Sequence, residues 1–220
     1  MNLCEVSDST ANVRIYDRKS TVSGDLPWES AKVPPPALNA PHRRKRIDKE
    51  LMNEFGSKRL IFEHIAQIHA AKLYEALRDP SVHQFINSKD FLTQRSVFDF
   101  IARVTQGPER DSGDRWLNVA CFLGDEVIGL LQATVHGDWA EIAFLFDPTF
   151  QGKGYATEAV SWMIDHLRDT PNIREFWATT VPRNERAIAL LIRTGFLESK
   201  ILERALLSYD PGDLIFKRLS

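Results

Sequence analysis

"FDPTFQGKGYATEAV", Phe146 to Val160, is the passage on which the reading of this chain turns. A short apolar run breaks at Asp147-Pro148, and a turn carries Gln151-Gly152-Lys153-Gly154. A segment with helical spacing follows, with no further Gly or Pro. The first N–H groups of a helix lack intrahelical partners and point outward, with the positive end of the macrodipole behind them. Glycines at that point let a ligand approach the backbone closely and permit angles that other residues resist. Lys153 adds a cation. Strand, glycine turn and helix together suit an anion cradle, and a pyrophosphate fits one.

Two familiar phosphate loops do not match. The P-loop needs Ser or Thr after its Lys, and here Gly154 follows Lys153. The dinucleotide fingerprint fits Gly152 and Gly154 but finds Thr157 at its third glycine. The strand before it also reads as part of an antiparallel meander, whereas that fingerprint opens a parallel unit. A lone G-x-G turn also serves as a plain tight connection, so its surroundings decide.

Upstream, residues 1–56 contain "KVPPPALNAP" and "HRRKR" with few periodic apolar positions, which reads as a flexible leader before a domain spanning 57–220. The basic cluster at 42–46 is compatible with a nuclear-import or nucleic-acid patch, but such clusters more often serve as solvated linker. In the domain, "RLIFEHI" suggests a strand, and Ala66, Ala70, Leu73, Tyr74 and Leu77 share one helical face that Asp79-Pro80 ends. A second helix is expected over 93–104, with Val97, Ile101 and Val104 on one face. Three strand-like runs follow, "WLNVACFL", "EVIGLLQATV" and "WAEIAFLF", separated by Gly124-Asp125 and Gly137-Asp138, breaks that suit antiparallel hairpins. Ala156, Val160, Met163, Ile164 and Leu167 predict a helix, "IREFWATTV" a strand, and 185–194 a helix closed by Gly195. A strand pair around "YDPGD" ends the chain. The result is an α/β domain with a largely antiparallel sheet and a strand–helix–strand crossover.

Bulk properties set the frame. Over 220 residues, 43% are hydrophobic and 26% charged, which are globular values, and a net charge of −2 gives no reason to expect nucleic acid. No apolar run approaches the roughly 20 residues that span a bilayer. Cys4 and Cys121 make neither a disulfide framework nor a metal set, so a reducing, cytoplasmic setting without metal is expected.

Gln151-Gly152-Lys153-Gly154-Tyr155-Ala156 resembles the Q/R-x-x-G-x-G/A signature of the GNAT family of N-acetyltransferases. "AEIAFLFDP" is similar to the strand before that signature, and "VPRNERAIALLIRTGF" (Val181 to Phe196) to the family's later N-x-x-[SA]…GF helix. "DPSVHQFI" and the first strand with its helix resemble the subgroup of RimJ/RimL-like ribosomal-protein alanine acetyltransferases. The resemblance runs from Lys58 to the C-terminus.

It implies a mixed, largely antiparallel sheet flanked by helices, whose splayed central strands form an acyl-CoA cleft. Carried over, the backbone of Phe144, Leu145 and Phe146 would run beside the pantetheine arm of acetyl-CoA. The N–H groups of Gln151, Gly152, Lys153, Gly154, Tyr155 and Ala156 would hold the pyrophosphate. Asn184 would contact the pantetheine or thioester, and Arg193 occupies an often basic position. Glu141 matches an acidic position of the subgroup and is the candidate general base, with His136 and Asp138 as reserves. The reaction implied is direct attack by a primary amine, at a protein N-terminus or on a small molecule, in a monomer or homodimer away from any membrane. The chain departs from the family where a tyrosine acid, a serine and a glutamate base are common: Leu191, Ala187 and Thr179 stand there. Those departures leave a second reading open, an acyl-CoA-binding or sensing module without turnover. Phe85, Phe91, Phe98, Trp116 and Tyr209 are aromatic candidates for an acceptor pocket or for core.

Overall fold

The computed structural model describes residues 55–220, apart from positions 87 and 171. The leader up to 54, with its basic cluster and Cys4, lies outside the described residues. Strand β1 (Ile61–His64) is followed by a single 3₁₀ turn, α1 (Ala70–Leu77), α2 (Pro80–His83) and α3 (Gln94–Val104). The meander β2 (Arg115–Leu123), β3 (Glu126–His136) and β4 (Trp139–Phe146) leads into α4 (Tyr155–Arg168). The chain closes with β5 (Glu175–Thr180), α5 (Glu185–Arg193), β6 (Leu197–Ser199) and β7 (Leu214–Leu219).

Local chemistry fixes the helix ends. Asp79-Pro80 stops α1 as expected and also starts α2: the Asp79 carboxylate accepts from the Ser81 N–H at 2.8 Å, and Pro80 occupies the first turn, where no N–H is needed. Thr93 and Ser96 cap α3 reciprocally, each hydroxyl accepting the other's N–H at 3.0 Å. Gly195, at φ +85°, closes α5 in the left-handed region, and Phe196 N–H returns to Leu191 O at 2.9 Å.

The strands form one sheet in the order β1-β2-β3-β4-β5-β7-β6, antiparallel throughout except for β4 beside β5. Helices α4 and α5 cover one face, where Val160, Met163, Ile164 and Leu191 pack on Val119, Leu131, Ala140, Ile142 and Phe176. Helices α1 and α3 cover part of the other face, over Ala120, Phe122 and Leu130. The rest of that face is closed by residues 200–213, whose Leu206 and Tyr209 pack with Trp139, Trp177 and Ile215. This last segment departs from the expected strand pair around "YDPGD": β6 is three residues long and lies earlier, and 200–213 form an irregular strap. Cross-links hold the strap in place of a ladder. Glu175 accepts from the Arg204 Nη2 at 3.0 Å, and Lys217 Nζ donates to the Glu203 carboxylate at 2.7 Å. Among the described residues, no helix is long and apolar enough to cross a membrane.

Candidate active site

Strands β4 and β5 pair only at Trp139↔Glu175, Ala140↔Phe176 and Glu141↔Trp177. Beyond that point each keeps its outer partner, β4 with β3 as far as Phe146 and β5 with β7 as far as Thr180, while the inner ladder is lost. The strands therefore fork. A cleft of about 950 Å³ lies beyond the fork, lined by Phe144, Leu145 and Phe146 of β4, the turn at 150–157 apart from Lys153, the cap residue Asn184, and Ala187 and Leu190 of α5. Its size falls in the range of cofactor pockets.

The glycine turn has the geometry of an anion cradle. Gly152 (φ +74°) and Gly154 (φ +79°) both adopt left-handed backbone that side chains resist. The first bond of α4 is Glu158 N–H to Gly154 O at 3.0 Å. Among the described residues, the N–H groups of Gly152 to Thr157 donate to no backbone carbonyl. The N–H of Gln151 does, to Pro148 O at 3.2 Å, so what Gln151 brings to the cleft is its side chain. Lys153 is not among the residues that line the cleft; its ammonium bonds Thr149 O at 3.3 Å and lies over the Phe150 ring.

Asn184 caps α5, its Oδ1 accepting from Ala187 N–H at 3.2 Å. That use leaves its amide N–H₂ as the group it offers to the cleft. Leu191 is core and Ala187 brings only a methyl to the lining. Thr179 is buried behind the strap, its hydroxyl donating to Ser208 O at 3.0 Å.

Glu141 is the last β4 residue paired to β5 and is 1% exposed. Side chains alternate along a strand, so it shares a face with Trp139 and points under the strap. Leu207 N–H donates to Oε2 and Ser208 N–H to Oε1, each at 2.8 Å, and the Ser208 hydroxyl donates to Oε1 as well. Burial raises its pKa against the pull of these donors. It does not line the 950 Å³ cleft. The Nδ1 of His136 lies 2.8 Å from Asp114, its ring stacks on Trp139 at 4.1 Å, and Asp138 sits half-exposed near Arg204.

A smaller cavity of about 30 Å³ shares Phe144 and Leu145 with the cleft and is further lined by Phe91, Arg103 and Gln132. Gln132 donates to the buried Asn118 at 2.8 Å. Of the aromatic candidates, Phe85 lines the large cleft, Phe91 is core and Phe98 is 43% exposed. Sequence reasoning missed Arg183 and Arg186, which reach across the cleft. Arg183 bonds Gln84 O at 3.2 Å, and Arg186 donates to the Gln151 side chain.

Solved structures of known proteins share this fold. A Bacillus licheniformis protein described as an uncharacterized N-acetyltransferase, p20, is 25% identical over 154 residues, covering 69% of this chain and 86% of its own length. A structure of RimL, a ribosomal L7/L12 alpha-N-protein acetyltransferase in complex with coenzyme A, superposes with a TM-score of 0.62 at 19% identity over 74% of this chain and 95% of that one. The ribosomal-protein-S5-alanine acetyltransferase of Vibrio fischeri gives 0.60 at 16% identity over 75% and 95%. Residues 59–197, well over half of the chain, match the acetyltransferase (GNAT) domain. With the forked strands and bared turn of that fold in place, this chain belongs to the GNAT family of N-acetyltransferases.

Proposed function

We propose that the protein transfers the acetyl group of acetyl-CoA directly to a primary amine, with both substrates bound together. The observation that carries this is the cleft beyond the β4–β5 fork, floored by a strand edge and ending at the unpaired N–H groups of the glycine turn. Phe144, Leu145 and Phe146 offer backbone groups to the amides of the pantetheine arm, as a partner strand would. Gly152, Gly154, Tyr155 and Ala156 offer N–H groups to the pyrophosphate, the Gln151 side chain closes the turn, and Lys153 contributes its charge from behind. Asn184 presents its amide to the pantetheine or thioester.

In the transfer, the neutral amine attacks the thioester carbonyl carbon and a backbone N–H of β4 stabilises the oxyanion. Collapse breaks the C–S bond, the thiolate leaves and takes a proton from water, and the amine nitrogen loses its proton to a base. Glu141 is the proposed base: it stands at the β4–β5 fork, behind the strap rather than in the cleft, and burial raises its pKa above the ordinary carboxylate value. The small cavity beside Phe144 and Leu145 has room for one ammonium-sized group and is the proposed seat of the acceptor nitrogen. The RimL and Vibrio fischeri enzymes are described as acting on ribosomal proteins, which favours a protein N-terminus over a small amine as acceptor.

A second reading has its own support: Leu191, Ala187 and Thr179 supply no acid or base to the cleft, and Glu141 lies under the strap. On that reading the protein binds acyl-CoA without turnover. Thiol release decides between the two. A transferase frees CoA thiol from acetyl-CoA in proportion to added peptide or amine acceptor, and a binding module frees none under any acceptor while still retaining acetyl-CoA in titration.

A further inference from the structure

We infer that Arg59, at the approach to β1, fixes the direction of the Lys153–Gly154 peptide and is thereby a positioning residue for the cofactor's pyrophosphate. The inference rests on the acyl-CoA reading of the cleft. Arg59 Nη1 donates to Lys153 O at 3.0 Å, and Nε donates to Glu158 Oε2 at 2.6 Å. The backbone N–H of Arg59 and the Ser57 hydroxyl both donate to Glu158 Oε1 at 2.7 Å. The guanidinium also lies 4.4 Å from the Tyr155 ring centroid. One side chain, about a hundred residues away in sequence, thus grips the turn, the first turn of α4 and the ring between them.

A trans peptide carries its C=O and N–H on opposite sides. Holding the Lys153 carbonyl towards Arg59 turns the Gly154 N–H the other way, and Gly154 lines the cleft. Left alone, this peptide has little reason to stay put. Gly154, at φ +79°, populates either hand of the backbone at similar cost, so the peptide plane flips easily. The flipped state presents a carbonyl oxygen to the phosphate where the cradle needs a donor. Arg59 does not itself line the cleft, so its effect passes through the turn. A planar guanidinium can serve Glu158 and the carbonyl at once, which a lysine ammonium on a flexible stem cannot reproduce.

The test compares wild type with Arg59→Lys, Arg59→Ala and Glu158→Gln in the full chain. Thermal melting, acetyl-CoA calorimetry, KM for each substrate, kcat and the ¹⁵N–¹H resonance of Gly154 are followed. Arg59→Ala is expected to raise the acetyl-CoA Kd and KM about tenfold, the scale of one charge-assisted hydrogen bond. The acceptor KM should stay put, and the downfield shift of the Gly154 amide on adding acetyl-CoA should disappear. Arg59→Lys should melt near wild type yet bind acetyl-CoA as weakly as Arg59→Ala, and Glu158→Gln should fall between. Unchanged acetyl-CoA affinity in folded Arg59→Ala overturns the inference. So does full recovery by lysine, because charge and not direction would then matter. A rise in both KM values that follows the loss of melting temperature also overturns it. Wild type failing to bind acetyl-CoA is a separate result that removes the acyl-CoA reading itself, and the inference with it.

Discussion

The Glu141 carboxylate accepts two backbone N–H groups and a hydroxyl in a place that water does not reach. Those donors favour the ionised form, desolvation favours the neutral one, and desolvation wins, lifting the pKa above its ordinary 4.5. A folded state that holds a proton more tightly than the unfolded chain loses stability as pH rises through the window between the two pKa values. The wild type should therefore lose more melting temperature than Glu141→Gln as pH is taken upward from about 4.5; parallel curves would show that Glu141 is ionised throughout. The same variant bears on the base. If Glu141 takes the amine proton, Glu141→Gln lowers kcat by about a hundredfold or more while the acetyl-CoA Kd holds. At the turn, Gly152→Ala and Gly154→Ala each place a side chain in left-handed backbone at a cost of about 1–2 kcal/mol. A methyl at 154 would sit 3.5 Å from Arg59 and one at 152 would meet nothing, so strain and not collision sets the loss. Changing both glycines to bulky residues should abolish acetyl-CoA binding in calorimetry while the fold persists.

Elements show which parts of the chain carry their own instructions. The meander β2–β4 falls within a residue or so of the apolar runs set off by Gly124-Asp125 and Gly137-Asp138, because its strands are buried on both faces between polar turns. Helices α3, α4 and α5 fall as close to the boundaries that 3.6-residue spacing predicts, because each buries a periodic face of its own. The strap at 200–213 has no period to read: its place is set by Glu141, Glu175 and Lys217, residues 14 to 67 positions from their strap partners. The glycine turn is legible for the opposite reason, since strand end, glycines and helix start are contiguous. Arg59 and Arg186 are not legible, because nothing local tells a surface arginine from one that grips a distant carbonyl or amide. Gly129 in β3 was equally silent. Its backbone is ordinary, but a Cβ there would come within 2.4 Å of the Phe146 ring and 2.6 Å of Leu145 O. The ring can turn; the carbonyl belongs to the strand that floors the cleft. Gly129→Ala should therefore cost about 1–3 kcal/mol through overpacking and weaken acetyl-CoA binding as β4 shifts. A melting loss with unchanged affinity would mean that β3 gives way instead.

The molecule is a single sheet whose two parts lose contact where the cleft begins. Strands β1–β4 are zipped together on one side and β5, β7 and β6 on the other, and they share only three residue pairs. Beyond the fork, Arg186 of α5 reaches back to Gln151 and Arg183, just ahead of that helix, to Gln84 O, so polar side-chain contacts bridge a gap that no ladder spans. A ligand filling that gap touches β4, the start of α4 and α5 together, and every contact it makes is lost on unfolding. Binding to the folded chain alone stabilises it by about 2.7 kcal/mol when the ligand stands at a hundred times its Kd. For a chain of this size that corresponds to a rise in melting temperature of about 5–11 °C. Acetyl-CoA at that excess should give such a rise, and NAD and ATP at equal concentration should not, because the turn departs from both of their loops. An equal shift with all three nucleotides would mean that the turn holds a pyrophosphate without selecting the pantetheine arm. No shift with acetyl-CoA would show that the fork, though open, does not bind it, and both the transferase and the binding-module readings would fall together.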